Sequence, residues 1–534
     1  MSDPVSDAKP RRGLSLKGKV ASVFGGSVLR FGSTLVVTVA VTRVLSRADV
    51  GMYRGLRLVA DTCLVCLLGF PQAYCYFLPQ LAGRKRASFL AQTLAVQVLL
   101  AAACLVGLEL FPGVASVFFR DPEVAERMAR LLPFFAFFVF FYILFWHFQE
   151  LLIATYNHHW VPIWQGVAGF LPIFTVVIPY AVVPSLEGCI FWMTVSYGAC
   201  FAALVIFTFR LMPERPDPFD LEIFKKTIRF VYPLTGAILF YVLSVNTDKM
   251  IALSLFGEEK FGDYSYAALA GTLLLIIASS VTSAMKPTFT RLFTSGQVDG
   301  FLALWHRSIR LNSLLMLPGA VWLLLVSGPL IRLFLTAKFA SAVLPFRVFV
   351  FTLFLQVTAW MPLAQSIGHT KAAFWQRTII FLGIVFTIVG LWYTNLLGEY
   401  SSVSPAVGVV VGTNLGALYM MLTVKKKCGR TFLETIPVGQ YLPILAVSAA
   451  AGLVALPARW LHVPAGCEAA LGPTLFEYGG YAFEIACASL VFWAAYSALA
   501  IACRVVTMGE LKSLCKWIFG VLERGGGLPS SGGR

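Results

Sequence analysis

The sequence predicts an all-α membrane protein with about 14 transmembrane helices. Of its 534 residues, 58% are hydrophobic and only 13% are charged, which is more apolar side chain than one soluble core can bury. Apolar runs recur along the whole chain. Each is long enough, at a rise of about 1.5 Å per residue, to cross a hydrocarbon layer of about 30 Å. Lipid is therefore the expected solvent for most of the chain.

The predicted spans lie between breaks that are charged or rich in glycine and proline. Six precede the polar segment 213–222, six more precede the basic run 425–430, and two follow it. Their expected positions are 20–44, 56–80, 88–110, 131–154, 161–183, 189–211, 228–255, 264–288, 306–328, 344–366, 371–395, 402–424, 438–460 and 480–503.

The spans group into two pseudo-symmetric six-helix bundles and an extra pair of helices. Polar segments separate these parts, and the Gly-rich end of the chain has a composition that favours disorder. The expected division is a cytosolic basic tail at 1–19, an N-terminal bundle at 20–212, a cytoplasmic linker at 213–227, a C-terminal bundle at 228–430, helices 13 and 14 at 431–505, and a cytosolic, partly disordered tail at 506–534.

The distribution of positive charge predicts the orientation in the membrane. Of the 42 Lys and Arg residues, 28 fall in the tails and loops on the side of the N-terminus. The positive-inside rule therefore places both termini in the cytoplasm. The same distribution accounts for most of the net charge of +16, so no nucleic-acid partner is expected.

The two six-helix blocks form an internal repeat with an offset of 211 to 212 residues. In this register Gly51 and Tyr53, after the first helix, fall on Gly262 and Tyr264, after the seventh. Because six helices separate the copies, both repeats start on the same side, and an axis along the membrane normal should relate them. A transporter with this design binds its substrate in the cavity between the halves.

Ionisable side chains inside the spans are the functional candidates, because each costs roughly 2.5–3.5 kcal/mol at the bilayer centre on insertion scales. In the first helix, Ser27, Arg30, Thr34 and Thr38 share one face and form a polar stripe with a single cation. Arg30 lies near mid-membrane, so it is the strongest candidate for binding an anion.

Further candidates lie in helices two and seven. Arg54, Arg57 and Asp61 are spaced three and four residues apart, which puts two cations and a carboxylate on one face of helix two. Snorkelling to the nearby interface is the competing interpretation of both arginines. Lys249 is a candidate for the cavity, and Asp248 for an ion pair or a coupling ion, although both lie near a helix end.

Other polar residues have ordinary explanations. Lys286 and Arg377 lie by cytoplasmic ends, where the positive-inside rule suffices to explain them. His147 and Glu150 are one turn apart near the cytoplasmic mouth and are interpreted as a solvated pair rather than a proton relay.

Neither a metal, nor a cofactor, nor an enzyme activity is expected. Cys63 and Cys66 form a CxxC inside an apolar segment without a second ligand pair, so they are interpreted as small apolar side chains. The sequence contains no GxxxxGK[ST] phosphate-binding loop, which argues against an ATP-driven motor in this chain. The loops carry no recognisable catalytic set.

Two segments resemble a known family. Residues 43–53 read RVLSRADVGMY and are similar to the pattern R-x-L-x-x-x-E/D-x-G-x-Y. Residues 246–249 read NTDK and are followed at 256–266 by FGEEKFGDYSY. The chain resembles the polysaccharide and O-antigen (Wzx-type) flippases of the MOP superfamily over nearly its whole length.

The resemblance implies a V-shaped pair of six-helix bundles and transport by alternating access. It implies a cationic cavity for the diphosphate of a polyprenyl-linked oligosaccharide, contacted here by Arg30, Arg54 and Arg57. Helices 13 and 14 would provide a groove for the lipid tail. The expected address is the bacterial inner membrane, and the expected partners are the lipid-linked oligosaccharide, membrane lipid, and the polymerase and glycosyltransferases of cell-surface polysaccharide synthesis.

Three alternatives stay open at the level of the sequence. A MATE-like multidrug exporter coupled to sodium or protons would favour an acidic cavity, and the cation Arg30 argues against this alternative. A non-transporting scaffold of a polysaccharide assembly complex would not need the cavity charges. A membrane glycosyltransferase would need a catalytic site that the sequence does not offer.

Overall fold

A computed structural model describes residues 16–505, apart from 112, 114–121, 156–159, 213, 217–218, 270, 358–359, 361–362, 364–369 and 462–472. Every regular element in these residues is helical, and none of them is a strand. Eleven of the described helices are long and apolar enough to cross a membrane. The prediction of a multi-pass all-α membrane protein is therefore confirmed, while the total of 14 spans and the side of the termini stay predictions.

The described residues of the first half form eight α-helices. Two 3-10 turns, Leu64–Leu67 and Leu78–Gln80, flank α3, and a π turn, Ile173–Val177, joins α6 to α7. The helices are α1 (Leu16–Val44), α2 (Arg47–Cys63), α3 (Phe70–Phe77), α4 (Gly83–Leu110), α5 (Pro122–Ala154), α6 (Trp160–Pro172), α7 (Ile178–Val182) and α8 (Leu186–Arg210).

Ten further α-helices lie in the part of the second half that the structure describes. Short 3-10 turns at Ala337–Ala342, Gly398–Val403 and Leu456–Trp460 connect some of them. The helices are α9 (Leu221–Ala267), α10 (Thr272–Thr294), α11 (Val298–Leu335), α12 (Val343–Val350), α13 (Thr352–Leu355), α14 (Thr370–Thr394), α15 (Ser404–Cys428), α16 (Phe432–Thr435), α17 (Val438–Ala455) and α18 (Pro473–Ala502).

The predicted second span, 56–80, is not one helix. Its helix α2 already begins at Arg47, where the Ser46 side chain accepts a hydrogen bond from the Asp49 amide at 3.1 Å. The chain then turns at Leu68 and Gly69, whose φ angles of 49° and 83° are left-handed. A hydropathy window does not detect such a turn, because the residues around it stay apolar while the backbone changes direction.

Helix α9 is a hairpin of two arms that meet at Gly257. The φ of Gly257 is 78° and its ψ is 173°, which interrupts the helix. Along a straight helix, Asp248 and Tyr264 would be about 24 Å apart. Instead the Tyr264 hydroxyl donates to Asp248 Oδ2 at 2.7 Å, so the second arm, residues 258–267, folds back on the first.

The two halves meet where α2 crosses the second arm of α9. A Cβ built on Gly262 would lie 3.6 Å from the Gly51 Cα, and one built on Gly51 would lie 2.1 Å from the Glu258 carbonyl oxygen. Glycine is therefore required at position 51 by the approach of another backbone. The two glycines that the internal repeat superimposes thus contact each other at this crossing.

Polar contacts between the halves surround the glycine crossing. Arg47 Nη2 lies 2.7 Å from Asp263 Oδ2, and Arg47 Nη1 lies 3.6 Å from Glu259 Oε2. Ser341 also donates a hydrogen bond to Asp263, and Lys338 Nζ donates to the Leu45 carbonyl at 3.2 Å. We call this set of contacts the closure. It joins the halves on the side of the molecule where α1 ends and α2 begins.

Helices α17 and α18 flank the second half. The indole nitrogen of Trp322 on α11 donates to Ser489 Oγ on α18 at 2.8 Å. The Tyr441 hydroxyl on α17 donates to the Phe354 carbonyl at 2.7 Å. Arg43, at the end of α1, stacks over the Tyr478 ring of α18 with 5.2 Å between Cζ and the ring centroid, so the extra pair also borders the closure.

We expect Gly51→Ala to destabilise the protein by about 1–3 kcal/mol, because the added methyl group overlaps the Glu258 carbonyl. The thermal unfolding midpoint in detergent measures this. Gly107→Ala in α4 is the matched control, since nothing lies within 4 Å of a Cβ there. Equal midpoints for both variants would contradict the backbone contact at Gly51.

We expect Arg47→Ala to loosen the closure, because the Asp263 carboxylate, of which 4% is exposed, loses its closest cation. Hydrogen–deuterium exchange should rise in residues 256–264 and 336–342. Arg130→Ala is the control, since the described partner of Arg130 is Glu126, one turn away, and both side chains are exposed. Unchanged exchange in Arg47→Ala shows that the ion pair does not hold the halves together.

Candidate functional site

A cluster of cationic and aromatic side chains lies inside the N-terminal half. Helix α2 supplies Arg57 and Asp61, which are one turn apart, and α5 supplies Tyr142 and Trp146 at the same spacing. Arg30 approaches from α1. Three helices that are distant in sequence therefore place complementary side chains together, and we call these five residues the cation–aromatic cluster.

Arg57 and Asp61 form a charge-balanced unit through Tyr142. The Tyr142 hydroxyl accepts a hydrogen bond from Arg57 Nη2 at 3.0 Å and donates one to Asp61 Oδ1 at 2.6 Å. The Arg57 guanidinium also lies over the Tyr142 ring, with 4.6 Å between Cζ and the centroid, and its Nη2 is 3.9 Å from Asp61 Oδ1. Asp61 therefore neutralises Arg57, and the tyrosine fixes the geometry of both.

Arg30 is the cation of the cluster that remains once Asp61 has neutralised Arg57. Its Cζ lies 4.3 Å from the centroid of the Trp146 ring, and the side chain stays accessible. No described acidic side chain forms an ion pair with Arg30. The indole nitrogen of Trp146 is buried and has no hydrogen-bond partner among the described residues. The cluster thus carries one excess positive charge and unused hydrogen-bond donors, which suits an anion.

Aromatic rings support the cluster from behind. The Tyr142 ring contacts the Tyr197 ring of α8 with 5.6 Å between centroids and stacks on Phe138 at 5.3 Å. All three side chains are buried. This packing holds Tyr142 in the orientation that its two hydrogen bonds require, so the charged groups need little rearrangement to bind a ligand.

Arg54 is separated from the cluster although it shares a helix face with Arg57. Its Cζ lies 4.1 Å over the Tyr266 ring of the second arm of α9, and its Nη2 is 3.5 Å from Thr38 Oγ1. Each guanidinium thus stacks on its own ring, Arg57 within the N-terminal half and Arg54 across to the other half. Arg54 borders the closure.

Asp248 and Lys249 pair with each other in the C-terminal half. Lys249 Nζ lies 3.6 Å from Asp248 Oδ1, and 2% of the Asp248 side chain is exposed. Lys249 Nζ also donates to the Val245 carbonyl, and Tyr264 donates to the other Asp248 oxygen. No described contact joins this pair to the cation–aromatic cluster, so the predicted candidates occupy two separate places.

His147 is not the solvated residue that its position near a helix end suggested. It is fully buried, and its Nε2 lies 2.6 Å from the Tyr74 hydroxyl of α3. Tyr74 of α3 packs on its ring, with 5.0 Å between the ring centroids, and chain position alone does not reveal this contact. The side chains of Glu150, Ser27 and Lys286 lie outside the described residues.

Sequence reasoning missed Tyr142 and Trp146. They sit within the Phe-rich run 134–148, whose hydropathy is uniform. The sequence did contain one signal, which is the spacing of four residues between Tyr142 and Trp146. This spacing puts both on one helix face, and each combines an aromatic ring with a hydrogen-bond donor.

The chain was compared with known proteins. Residues 166–344 match the family model described as "Polysaccharide biosynthesis protein". No curated protein matches the sequence. The fold is similar to that of the lipid II flippase MurJ in an inward closed conformation, with a TM-score of 0.70 and 14% identity over 89% of this chain and 98% of that chain.

Two further structures belong to transporters of the MOP superfamily. An inward-facing MATE family multidrug resistance transporter gives a TM-score of 0.56 at 14% identity, over 78% of this chain and 96% of that chain. A transporter from Pyrococcus furiosus, described as having a binding pocket of reverse polarity, gives 0.51 at 14% identity, over 77% and 95%. At these identities the likeness concerns the fold.

We expect Tyr142→Phe to destabilise the protein by about 1.5–3 kcal/mol, because Arg57 and Asp61 both lose a hydrogen bond to the bridging hydroxyl. The thermal unfolding midpoint measures the loss. Tyr76→Phe is the control, since half of Tyr76 is exposed and the same hydroxyl is removed from a ring that stacks on Phe230. Equal midpoints would show that the bridge adds nothing to stability.

Proposed function

We propose that this chain, a multi-pass membrane protein with the fold of the MOP superfamily of transporters, is a flippase for polyprenyl-diphosphate-linked oligosaccharides. It moves them across the membrane by alternating access. The match of residues 166–344 to a polysaccharide biosynthesis family supports a saccharide-bearing substrate. The similarity of the fold to a lipid II flippase and to a MATE family transporter supports transport rather than an enzymatic reaction.

The observation that carries the proposal is the unpaired charge of Arg30. Arg30 is stacked on Trp146 and has no carboxylate partner among the described residues. Such a guanidinium within a membrane protein gains most from an anionic ligand. Its planar fork binds two phosphate oxygens at once. The neighbouring Arg57–Asp61 pair is neutral as a unit, so it orients a ligand without competing for the charge of Arg30.

A MATE-like exporter of organic cations is the second candidate, because a MATE transporter shares the fold. Such a protein needs a carboxylate that is available to the cation. In this chain Asp61 is engaged by Arg57 and Tyr142, and Asp248 by Lys249 and Tyr264. These pairings favour the anionic substrate.

The closure suggests how access alternates. Arg47, Asp263 and Ser341 hold the halves together on one side, while the cation–aromatic cluster stays accessible. If both termini are cytoplasmic, the closed side faces outward and the lipid-linked saccharide enters from the cytoplasm. Breaking the closure would then release it outward, where a polymerase or other enzymes of O-antigen or exopolysaccharide synthesis in a bacterial inner membrane would use it.

Translocation of a fluorescent polyprenyl-diphosphate oligosaccharide in proteoliposomes tests the proposal. We expect Arg30→Ala to slow translocation by roughly 10-fold or more, because a charge-assisted hydrogen bond contributes about 1.5–3 kcal/mol. Arg30→Lys should recover part of the rate, since it keeps the charge but not the fork. Arg130→Ala, which removes an exposed and paired arginine, should leave the rate unchanged.

Two outcomes argue against the proposal. Equal rates for wild type and Arg30→Ala at matched insertion would remove its main support. Uptake of organic cations by protein that leaves the lipid in place would favour the exporter.

A further inference from the structure

A guanidinium without a described carboxylate partner also lies in the C-terminal half, between α14 and α9. Arg377 on α14 lies over the ring of Tyr241 on the first arm of α9, with 4.7 Å between Cζ and the centroid. Its Nε is buried and has no hydrogen-bond partner among the described residues. No described acidic side chain pairs with it. The site thus has the same composition as the contact between Arg30 and Trp146.

The internal repeat relates the two sites. At an offset of 211 residues, Arg30 falls on Tyr241 and Gly166 on Arg377. The dipeptide Trp-Gln precedes both Gly166 and Arg377. This shared dipeptide fixes the alignment of α6 with α14 in the internal repeat. The pattern of predicted spans does not reveal this alignment.

Hydrogen bonds in α1 and α9 confirm that register. Ser33 and Ser244 are also 211 residues apart and both are buried. Ser33 Oγ donates to the Arg30 carbonyl at 2.8 Å, and Ser244 Oγ donates to the Tyr241 carbonyl at 2.9 Å. Arg30 and Tyr241 thus hold matching positions in the repeat register, and each has a buried serine bonded to its carbonyl.

The two halves differ in which helix supplies the cation. In the N-terminal half, Gly166 packs on α1, and its Cβ would lie 3.0 Å from Leu29 Cδ2, beside Arg30. In the C-terminal half, the arginine stands at the position of Gly166, and an aromatic ring stands at the position of Arg30. The repeat register thus places one arginine in each of the two corresponding pairs of helices, α1 with α6 and α9 with α14.

We propose that Arg377, supported by Tyr241, is a second anion-binding site that receives a phosphate or carboxylate oxygen of the transported lipid-linked saccharide. This inference rests on the proposed function. Without a ligand, the Nε of Arg377 is buried with no hydrogen-bond acceptor among the described residues, and only the Tyr241 ring offsets the cost of its charge in the membrane. An anionic oxygen supplies the missing charge and accepts the free hydrogen bonds.

The positive-inside rule alone does not account for Arg377. Arg377 lies seven residues into α14, roughly 10 Å from the start of the helix, and its guanidinium stacks inward on a ring of another helix. Lys371, in the first turn of the same helix, is exposed and shows what a merely topological cation looks like here. It is therefore the matched control.

Equilibrium binding to the purified full chain in detergent tests the site. The probes are two short-chain polyprenyl-diphosphate disaccharides, one with neutral sugars and one with a uronate. We expect Arg377→Gln to weaken binding by about 10-fold, Arg377→Lys to recover part of it, and Lys371→Gln to change nothing. Weakening for both probes identifies a phosphate ligand, and weakening for the uronate probe alone identifies a carboxylate.

The failure of this inference is distinguishable from that of the proposed function. If Arg377→Gln binds both probes like wild type while Arg30→Ala binds them weakly, the second site is refuted and the flippase proposal stands. If neither variant weakens binding, both are refuted. Tyr241→Leu keeps Arg377 but removes the ring that supports it, so it should lower the affinity less than Arg377→Gln does. Equal losses in the two variants would point to misfolding of this helix pair rather than to the loss of an anion contact.

Discussion

The close crossing of α2 and the second arm of α9 is the contact on which the arrangement of the halves depends. Gly51 and Gly262 bring two backbones together at a distance that side chains would prevent. This approach lets Arg47 reach Asp263 and Glu259, and it brings Arg54 onto Tyr266. Both the closure and the separation of Arg54 from Arg57 follow from the crossing.

The charged side chains of the site and the closure are mostly paired, whereas Arg30, Arg54 and Arg377 have no carboxylate partner among the described residues. Asp61 neutralises Arg57, Asp263 and Glu259 neutralise Arg47, and Asp248 neutralises Lys249. These pairs build the framework, since a paired ion in a low-dielectric interior is stable only when its partner stays in place. Arg30 and Arg377 differ because aromatic rings, rather than carboxylates, support them. A ring stabilises the cation without cancelling its charge, which leaves that charge for a ligand.

Much of the architecture could be predicted because hydropathy and charge are local properties of the sequence. The membrane class, the repeat that superimposes Gly51 on Gly262, and the choice of Arg30 all came from such patterns. The turn at Leu68 and Gly69 escaped the hydropathy window, although Gly69 and Pro71 were visible in the sequence. Contacts such as Arg57 with Tyr142 join residues 85 positions apart, and no local pattern encodes which helices become neighbours.

The hydrogen bond between Tyr264 and Asp248 joins the two arms of the α9 hairpin. Because this bond joins the two arms, we expect them to move as one rigid unit, with the bend at Gly257. One arm carries Asp263, which belongs to the closure, and the other carries Tyr241, on which Arg377 rests. If Arg377 binds a ligand as proposed, a displacement of Tyr241 would be transmitted along this hairpin to Asp263, so that substrate binding in one part of the molecule would weaken the closure in another.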